Sequence, residues 1–348
     1  MYTVLPCRKD DPLKAMLAEI DGWVYYKKAC EYYIPGYPGT PYDHMRAFLL
    51  WRREDVFDAK FIHHYTGFDV FQKLREKESD LACTHFKMLN DDEEFVRGFN
   101  HVLDELNCKG DIRIDGYHRG WLLKYLNTSI SDGIHGPWVM SFSERCNDLY
   151  QWSAYTDRKF GGCSIAFDLR ELNSIVDAYR NEKDSSFNLY LAPCIYDWSE
   201  FRTLMETAKF VNVETWKSFQ NRKVSSLKKM TPPMLLGDAW DHIIMLASLN
   251  KHKCFECEHE WRLIMMPKWN LKPEQFPRPS LIGGKLRYQL AQASPNLERR
   301  FNRRIIRGAM ISPQGNQRFN EAVADQIVGK FWDNDCRIYL SDLPYNGK

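Results

Sequence analysis

The sequence predicts an α+β fold with a mixed or mainly antiparallel central sheet, long helical insertions and an N-terminal helical layer. Two observations carry this prediction: short apolar segments typical of strands recur along the chain, and the helical segments between them do not alternate regularly with them. With 348 residues and 44% hydrophobic residues, the chain can bury a sizeable core. We expect an N-terminal helical extension over 1–57 and an α+β domain over 58–348 that carries a helical insertion at 199–251.

The strands are expected where apolar residues run for four to eight positions between turn signals. The expected strands are KFIHHYTG, DLACTHFKML, PWVMSFSE, CSIAFDL, LYLAPCIYD, HEWRLIMMP, IIRGAMISP and CRIYLSDLP.

Helices are expected where apolar residues recur at a spacing of three or four. Asp11 can cap a helix that begins at Pro12, and Ser199 can cap another that opens the insertion. A helix from Pro232 to about Lys251 closes the insertion. The other expected helices are 42–53, 68–78, 92–107, 117–127, LYQWSAYTDR and 316–330.

Charge and hydropathy restrict the partners and the compartment. The formal net charge is +2, so no general attraction to nucleic acid or to an anionic membrane is expected. No apolar run reaches the roughly 18 residues needed to span a bilayer, and the N-terminus lacks an apolar signal core. We therefore expect a cytoplasmic protein without membrane contact, in which ten cysteines are reduced thiols.

One local stretch is strongly basic. The segment ERRFNRRIIRG is either a solvated face or a contact for phosphate or nucleic acid. Its arginines are Arg299, Arg300, Arg303, Arg304 and Arg307.

Several familiar motifs are missing. The sequence contains no phosphate-binding G-x-x-x-x-G-K-[ST], no G-x-G-x-x-G, no G-x-S-x-G and no H-E-x-x-H. Cys254 and Cys257 form a C-x-x-C pair without a second pair, so we expect core thiols on opposite faces of a strand, and no metal.

Three segments carry chemistry. FIHHYTG ends an apolar strand with His63, His64, Tyr65 and Thr66, whose polar groups can bind a ligand or merely cap the strand and the next helix. SFSERCNDLYQWSAYTDRKFGG places two serines on one strand face and two aromatic residues on one helix side; they form either a stacking platform with polar anchors or an aromatic core. These four residues are Ser141, Ser143, Trp152 and Tyr155.

The third segment is KHKCFECEHEWRLIMM. If it is a strand, Glu256, Glu258, Glu260 and Arg262 all face one way. Three carboxylates on one face need a cation, a proton or a substrate, and Arg262 can offset one of them. The alternative is a solvated edge strand with an ion pair.

These segments resemble an uncharacterised bacterial family, a domain of unknown function often met in mobile or defence-associated gene neighbourhoods. The matching stretches are HHYTGFDVFQKL with LNDDEEF, MSFSERCNDLYQWSAYTDRKFGGCSIAFD, and KHKCFECEHEWRLI. The resemblance spans roughly residues 58–345.

The layout is also similar to that of ADP-ribosyltransferases, which have a histidine on an early strand, S-x-S on a later strand and E-x-E on a late strand. The corresponding positions are His63 or His64, Ser141 with Ser143, and Glu258 with Glu260. The long insertion at 199–251 departs from that layout, and the sequence does not decide between the two histidines.

That resemblance implies an enzyme that cleaves the nicotinamide–ribose bond of NAD, with phage defence or toxin action as its expected role. Glu260 would stabilise the oxocarbenium-like state, Glu258 would activate an acceptor, and the histidine would hold ribose hydroxyls. Tyr65 or Tyr155 would stack on nicotinamide. Thr66, Ser141, Ser143, Trp152 and Arg262 complete the expected NAD-binding set.

Two other classes of function stay open. A nuclease or phosphodiesterase could use the glutamates to hold Mg²⁺, and it would depend on metal. A non-catalytic module could bind nucleic acid through the late arginines, and its binding would be sensitive to salt. The acceptor of an ADP-ribosyl group could be a protein or a nucleic acid, and the sequence does not identify it.

Overall fold

The computed structural model describes only part of the chain. The described residues are 61–67, 82–89, 93–108, 114–131, 136–157, 161–180, 185–197, 213–222, 230–268, 279–282, 285–289, 305–318, 320–322, 324–325 and 337–343. The expected helical layer at 1–57, the helices expected at 42–53 and 68–78 and the Ser199 cap lie outside these residues. So do four arginines of the expected nucleic-acid contact, Arg299, Arg300, Arg303 and Arg304. None of the described helices combines the length and the hydropathy that a membrane-spanning helix requires.

The described residues confirm an α+β fold. The strands are β1 Phe61–Gly67, β2 Ala82–His85, β3 Trp138–Ser143, β4 Gly162–Asp168, β5 Phe187–Pro193, β6 Glu260–Pro267, β7 Ser280–Ile282, β8 Lys285–Gln289, β9 Ile306–Ile311 and β10 Arg337–Leu340. The α-helices are α1 Glu94–Cys108, α2 Gly116–Ser131, α3 Leu149–Tyr155, α4 Leu169–Arg180, α5 Val213–Gln220, α6 Pro232–Leu236 and α7 Asp238–Leu249.

The described strands form one mixed sheet in the order β10-β9-β4-β1-β3-β2-β8-β7, with β6 beside β3 and β5 beside β6. All described strand pairs are antiparallel except β9 with β10. The strand β3 pairs with β6 along its whole length, so its opposite edge is shared by β1 at Ser143 and by β2 at Trp138 and Val139. At this edge of β3 the sheet splits into two branches, one that continues through β1 and one that continues through β2.

Within the described residues, most expected strands and helices are present, and the structure differs from the expectation at four elements. The helix α4 was not expected, although Asp168 caps it by accepting hydrogen bonds from the backbone N–H groups of Arg170 and Glu171. The short strands β7 and β8 were not expected either. The helix expected from Pro232 is interrupted at Gly237, whose φ of 54° lies outside the helical region.

The centre of the sheet is buried on both faces. Alternate residues of β5 and β6 point to opposite faces, and each set packs into its own apolar cluster. Leu263 and Met265 belong to one apolar cluster, to which α4 and the strands β1, β4 and β9 also contribute. Ile264 and Met266 belong to a second cluster, formed with α1, α2, α5, α6 and α7. Even-numbered residues of β6 therefore lie beneath the helical layer.

The close packing of α1 against α7 can be tested by mutation. A methyl group at Gly98 would collide with the carbonyl oxygen of Ala247. We expect Gly98→Ala to lower the free energy of unfolding by about 1–3 kcal/mol because the helices must separate. Gly120→Ala on α2 is the control: nothing lies within 4 Å of the added methyl, so helix propensity should raise stability by about 0.5–1 kcal/mol. Urea unfolding measures both, and a stabilised Gly98→Ala variant would contradict this packing.

Candidate functional site

The three segments singled out from the sequence meet at one small cavity. Its volume is about 60 Å³, which is room for a few water molecules. Phe142 and Gln151, which were not expected, also line it. Eight expected residues line it: His63, His64, Tyr65, Ser141, Ser143, Tyr155, Glu258 and Glu260.

Strand register explains why these residues meet. On the antiparallel strands β1 and β3, His63 lies directly opposite Ser143. On β3 and β6, Ser143 lies opposite Glu260, and Ser141 lies opposite Arg262. Directly opposite residues on antiparallel strands share a face of the sheet. The histidine, the serine and the carboxylate therefore form one row across three neighbouring strands.

The expected row of three carboxylates on one strand is wrong. Residues Lys253–Glu258 form a 3-10 helix, and β6 begins only at Glu260. The side chain of His252 caps this turn by accepting a hydrogen bond from the backbone N–H of Cys254, and His259 ends it with a φ of 44°. Glu256 is exposed and turned away from the cavity, whereas Glu258 and Glu260 are buried.

The same turn corrects the cysteines. Cys254 and Cys257 are exposed free thiols rather than core residues. In a 3-10 helix, residues three apart lie above one another, so the two thiols share a side instead of facing opposite ways. Within the described ranges, no group of three or more His, Cys, Asp or Glu side chains is arranged to hold a metal ion.

Lys251 is the central residue that sequence reasoning missed. Its ammonium group forms ion pairs with Glu258 and Glu260, and all three side chains are buried. The backbone N–H of Lys251 donates to the carbonyl of Ile195 at 2.9 Å, which fixes the residue where α7 has just ended. One cation thus joins two carboxylates that belong to different elements.

Arg262 extends this network away from the cavity. Its Nε donates to Glu260 at 2.8 Å, and its Nη2 donates to Glu94 on α1 at 3.0 Å. Its Nη1 donates to the carbonyl of Ser248 near the end of α7. With 4% of its surface exposed and these internal partners, Arg262 lies beneath the cavity instead of lining it as expected.

Glu260 and Lys251 both stay charged at pH 7 despite their burial. Burial alone would raise the pKa of Glu260, but Arg262 and Lys251 outweigh burial and lower it to about 2. Burial likewise opposes the charge on Lys251, yet Glu260 and Glu258 hold its pKa above the ordinary value. Among the described residues, the two cations of this network contact three carboxylates, those of Glu94, Glu258 and Glu260.

Both candidate histidines line the cavity, but they differ in their partners. His64 donates from Nδ1 to the carbonyl of Ser141 at 2.8 Å and packs edge-on against Phe142. The Nδ1 of His63 is buried and has no hydrogen-bond partner in the described part of the chain. Burial lowers the pKa of His63 to about 4 and also lowers that of His64. Both rings are therefore neutral at pH 7.

Two of the expected aromatic residues line the cavity, and the third packs behind them. Trp152 is fully buried, 4.7 Å from the ring of Tyr65, and does not line the cavity, so it supports Tyr65 from behind. Tyr65 donates its hydroxyl to the carbonyl of Arg145 at 2.7 Å. Tyr155 lines the cavity and donates to Glu258 at 3.3 Å, and burial raises its pKa, so it stays protonated. Thr66 is buried opposite Cys163 and lies away from the cavity.

Comparisons with known proteins agree with the uncharacterised resemblance. A family model described as a protein of unknown function (DUF2971) matches residues 151–263. That span contains Trp152, Tyr155, the insertion and the carboxylates, but not β1 or β3, and it is shorter than the 58–345 expected. No curated protein and no solved structure matches the chain.

Removing the ammonium group of Lys251 tests the network. We expect Lys251→Met to lower the free energy of unfolding by about 3–5 kcal/mol at pH 7.5, because two buried carboxylates lose their shared cation. Part of the loss should return at pH 5, because repulsion between carboxylates raises their pKa values and one takes up a proton. Urea unfolding at both pH values measures the effect. The control is Lys253→Met, at an exposed lysine of the adjoining turn; equal losses in the two variants would refute a central role for Lys251.

The histidine pKa shift predicts a pH dependence of stability. His63 takes up a proton at pH 6.5 when unfolded but only at about pH 4 when folded. The unfolded chain therefore binds more protons between these values, and stability falls as pH drops from 6.5 to 4, by on the order of 3 kcal/mol. Thermal unfolding of the wild type and His63→Gln across this range isolates the contribution. His101→Gln, at an exposed histidine, should follow the wild type; a His63→Gln curve parallel to the wild type would contradict the shift.

Proposed function

We propose that the protein is an ADP-ribosyltransferase-like enzyme that cleaves the nicotinamide–ribose bond of NAD and transfers ADP-ribose to an acceptor. One observation carries the proposal: the ionised carboxylate of Glu260 shares a sheet row and a cavity with Ser143 and His63. The carboxylate has the charge that the reaction needs, and the other two residues supply hydrogen-bonding groups beside it.

The chemistry follows from where charge develops. As the bond breaks, its electron pair moves to the nicotinamide nitrogen, and positive charge moves to the ribose carbon and ring oxygen. The carboxylate of Glu260, which lines the cavity, stabilises that ribose. The acceptor then bonds to the same carbon and gives up a proton, which Glu258 at the cavity wall can receive. Nicotinamide leaves neutral, so atoms and charge balance.

Lys251 and Arg262 fix the carboxylate before the reaction begins. Electrostatic stabilisation is most effective when the charged group does not have to reorient as the transition state forms. Both oxygens of Glu260 are held: Oε1 by Arg262 at 2.8 Å and Oε2 by Lys251. We assign these two cations to positioning, since neither needs to touch the substrate.

Binding roles fall to the residues with free surface at the cavity. The neutral ring of His63 can donate a hydrogen bond to a ribose hydroxyl or accept one from it. Between the expected stacking residues, Tyr155 is favoured for nicotinamide, because Tyr65 is only 7% exposed and Trp152 is fully buried. Cleavage of NAD would suit phage defence or toxin action, which stays part of the proposal.

A metal-dependent nuclease is less favoured by the geometry. A divalent cation at Glu258 and Glu260 would have to displace the buried ammonium group of Lys251 from both carboxylates. Repulsion between the cations opposes that exchange. A nucleic-acid-binding module remains the non-catalytic alternative, and it would be indifferent to Glu260.

The decisive variant is Glu260→Gln, which keeps size and removes charge. We expect the turnover of NAD to fall by about 10²–10³ with little change in NAD affinity, because the interaction strengthens only as positive charge develops. Turnover in the wild type should be unaffected by EDTA. Nicotinamide release, measured with and without EDTA, and NAD binding test these expectations.

Glu94→Gln is the matched control. It breaks an ion pair with the same guanidinium group of Arg262, but Glu94 does not line the cavity. Both variants should lose stability, and only Glu260→Gln should lose turnover. Nucleic-acid cleavage that EDTA abolishes would favour the nuclease instead. A fully active Glu260→Gln protein would refute both mechanisms.

A further inference from the structure

The row that contains the carboxylate does not end at His63. His63 lies opposite Ala166 on β4, Ala166 lies opposite Gly308 on β9, and Gly308 lies beside Arg337 on β10. Together with Ser143 and Glu260, the row crosses six strands on one face of the sheet. It begins at a carboxylate and ends at a guanidinium group.

The outer half of this row is the floor of a groove. The groove has a volume of about 750 Å³, within the usual range for ligand sites. Its floor consists of the small residues Ala166, Ser164 and Gly308, which leave room for a ligand above the sheet. Phe61 and His63 line one side, and Arg337 and Tyr339 line the other. Four neighbouring strands span about 14 Å, the length of an extended nucleotide.

The charges of the groove favour an anion. Arg307 donates from Nε to Asp168 at 3.3 Å, which leaves its terminal nitrogens available to a ligand. Register shifts between Ala166 and Phe167, and this irregularity brings Arg307 to the groove face although neighbouring residues alternate. Arg337 is exposed. Among the described residues that line the groove, two guanidinium groups against one carboxylate leave one excess positive charge.

The groove also offers rings and a buried imidazole. Tyr339 is 51% exposed and Phe61 lies at the opposite wall, so a planar base can stack at either side. His63 lines both the groove and the small cavity, it is nine-tenths buried, and its Nδ1 has no partner among the described residues. A ligand in the groove therefore reaches the residue that faces Ser143 and Glu260.

We propose that this groove binds a nucleoside diphosphate, with its phosphates at Arg307 and Arg337. Resting on the proposed function, the inference further assigns the groove to the ADP half of the NAD donor, because the 60 Å³ cavity is too small for the whole dinucleotide. The two sites then form one track along the row, with His63 between them. Guanidinium groups suit diphosphates because they donate two parallel hydrogen bonds.

Calorimetry with ADP, AMP and adenosine tests the groove directly. The wild type should bind ADP more tightly than AMP, and adenosine most weakly. Arg337→Ala should weaken ADP binding by about tenfold or more, since a charge-assisted contact is lost. Ala166→Leu should weaken it through bulk alone. Arg170→Ala, at an exposed arginine of α4, is the charge-matched control and should bind as the wild type does.

The outcomes separate the groove from the reaction. Equal ADP affinity in the wild type, Arg337→Ala and Ala166→Leu, or no ADP binding at all, overturns the groove. Arg337 is on an exposed edge strand, so its variant remains informative if Ala166→Leu does not fold. Glu260→Gln should keep ADP binding. ADP binding that depends on Arg337 without NAD cleavage supports the groove and defeats the proposed function. NAD cleavage whose KM for NAD is unchanged in Arg337→Ala supports the proposed function and overturns the groove as the site of the ADP half.

Discussion

A chain of buried charges joins the sheet to the helices that cover it. Glu260 and Arg262 stand on β6, Glu94 on α1, and Lys251 just beyond α7, and each is paired with at least one of the others. Isolated charges in this interior would be prohibitively unfavourable, so the helical layer can dock only where every partner is in place. The position of the carboxylate at the cavity is thus inseparable from the packing of α1 and α7. The same contacts that hold the fold together hold the candidate site ready.

Much of the fold could be predicted because the central strands are long and apolar. Alternation or continuous apolarity over β3, β4 and β6 leaves little choice of structure. The failures lie where local signals conflict. The segment KCFECEHE alternates like a strand, yet a histidine cap and the left-handed residue His259 make it a 3-10 turn. The strand β7 has only three residues, and β8 has apolar or aromatic side chains at only two of its five positions, so neither shows the apolar run that marks the other strands.

The site was predictable in its members and unpredictable in its connections. Histidines, serines and glutamates at strand ends are visible in a sequence, and the register of neighbouring strands brought most of them to one cavity. Ion pairs between distant segments leave no such trace: Arg262 and Glu94 are 168 positions apart. Lys251 did carry a weak signal, a long cationic side chain directly after an apolar helix and within ten positions of two carboxylates. Burial also gives two aromatic residues different roles: Trp152 is fully buried behind Tyr65, whereas Tyr155 lines the cavity.

Constraint is distributed unevenly along the sheet row. At Glu260, a substitution disturbs several buried partners at once, so the sequence there has little freedom. At β10, by contrast, three of the four residues are exposed and the backbone supplies the pairing with β9. Mutations on that edge strand can accumulate without unfolding the protein. Divergence among related chains is therefore easiest at the arginine end of the row, whereas the buried partners of Glu260 keep the opposite end nearly constant.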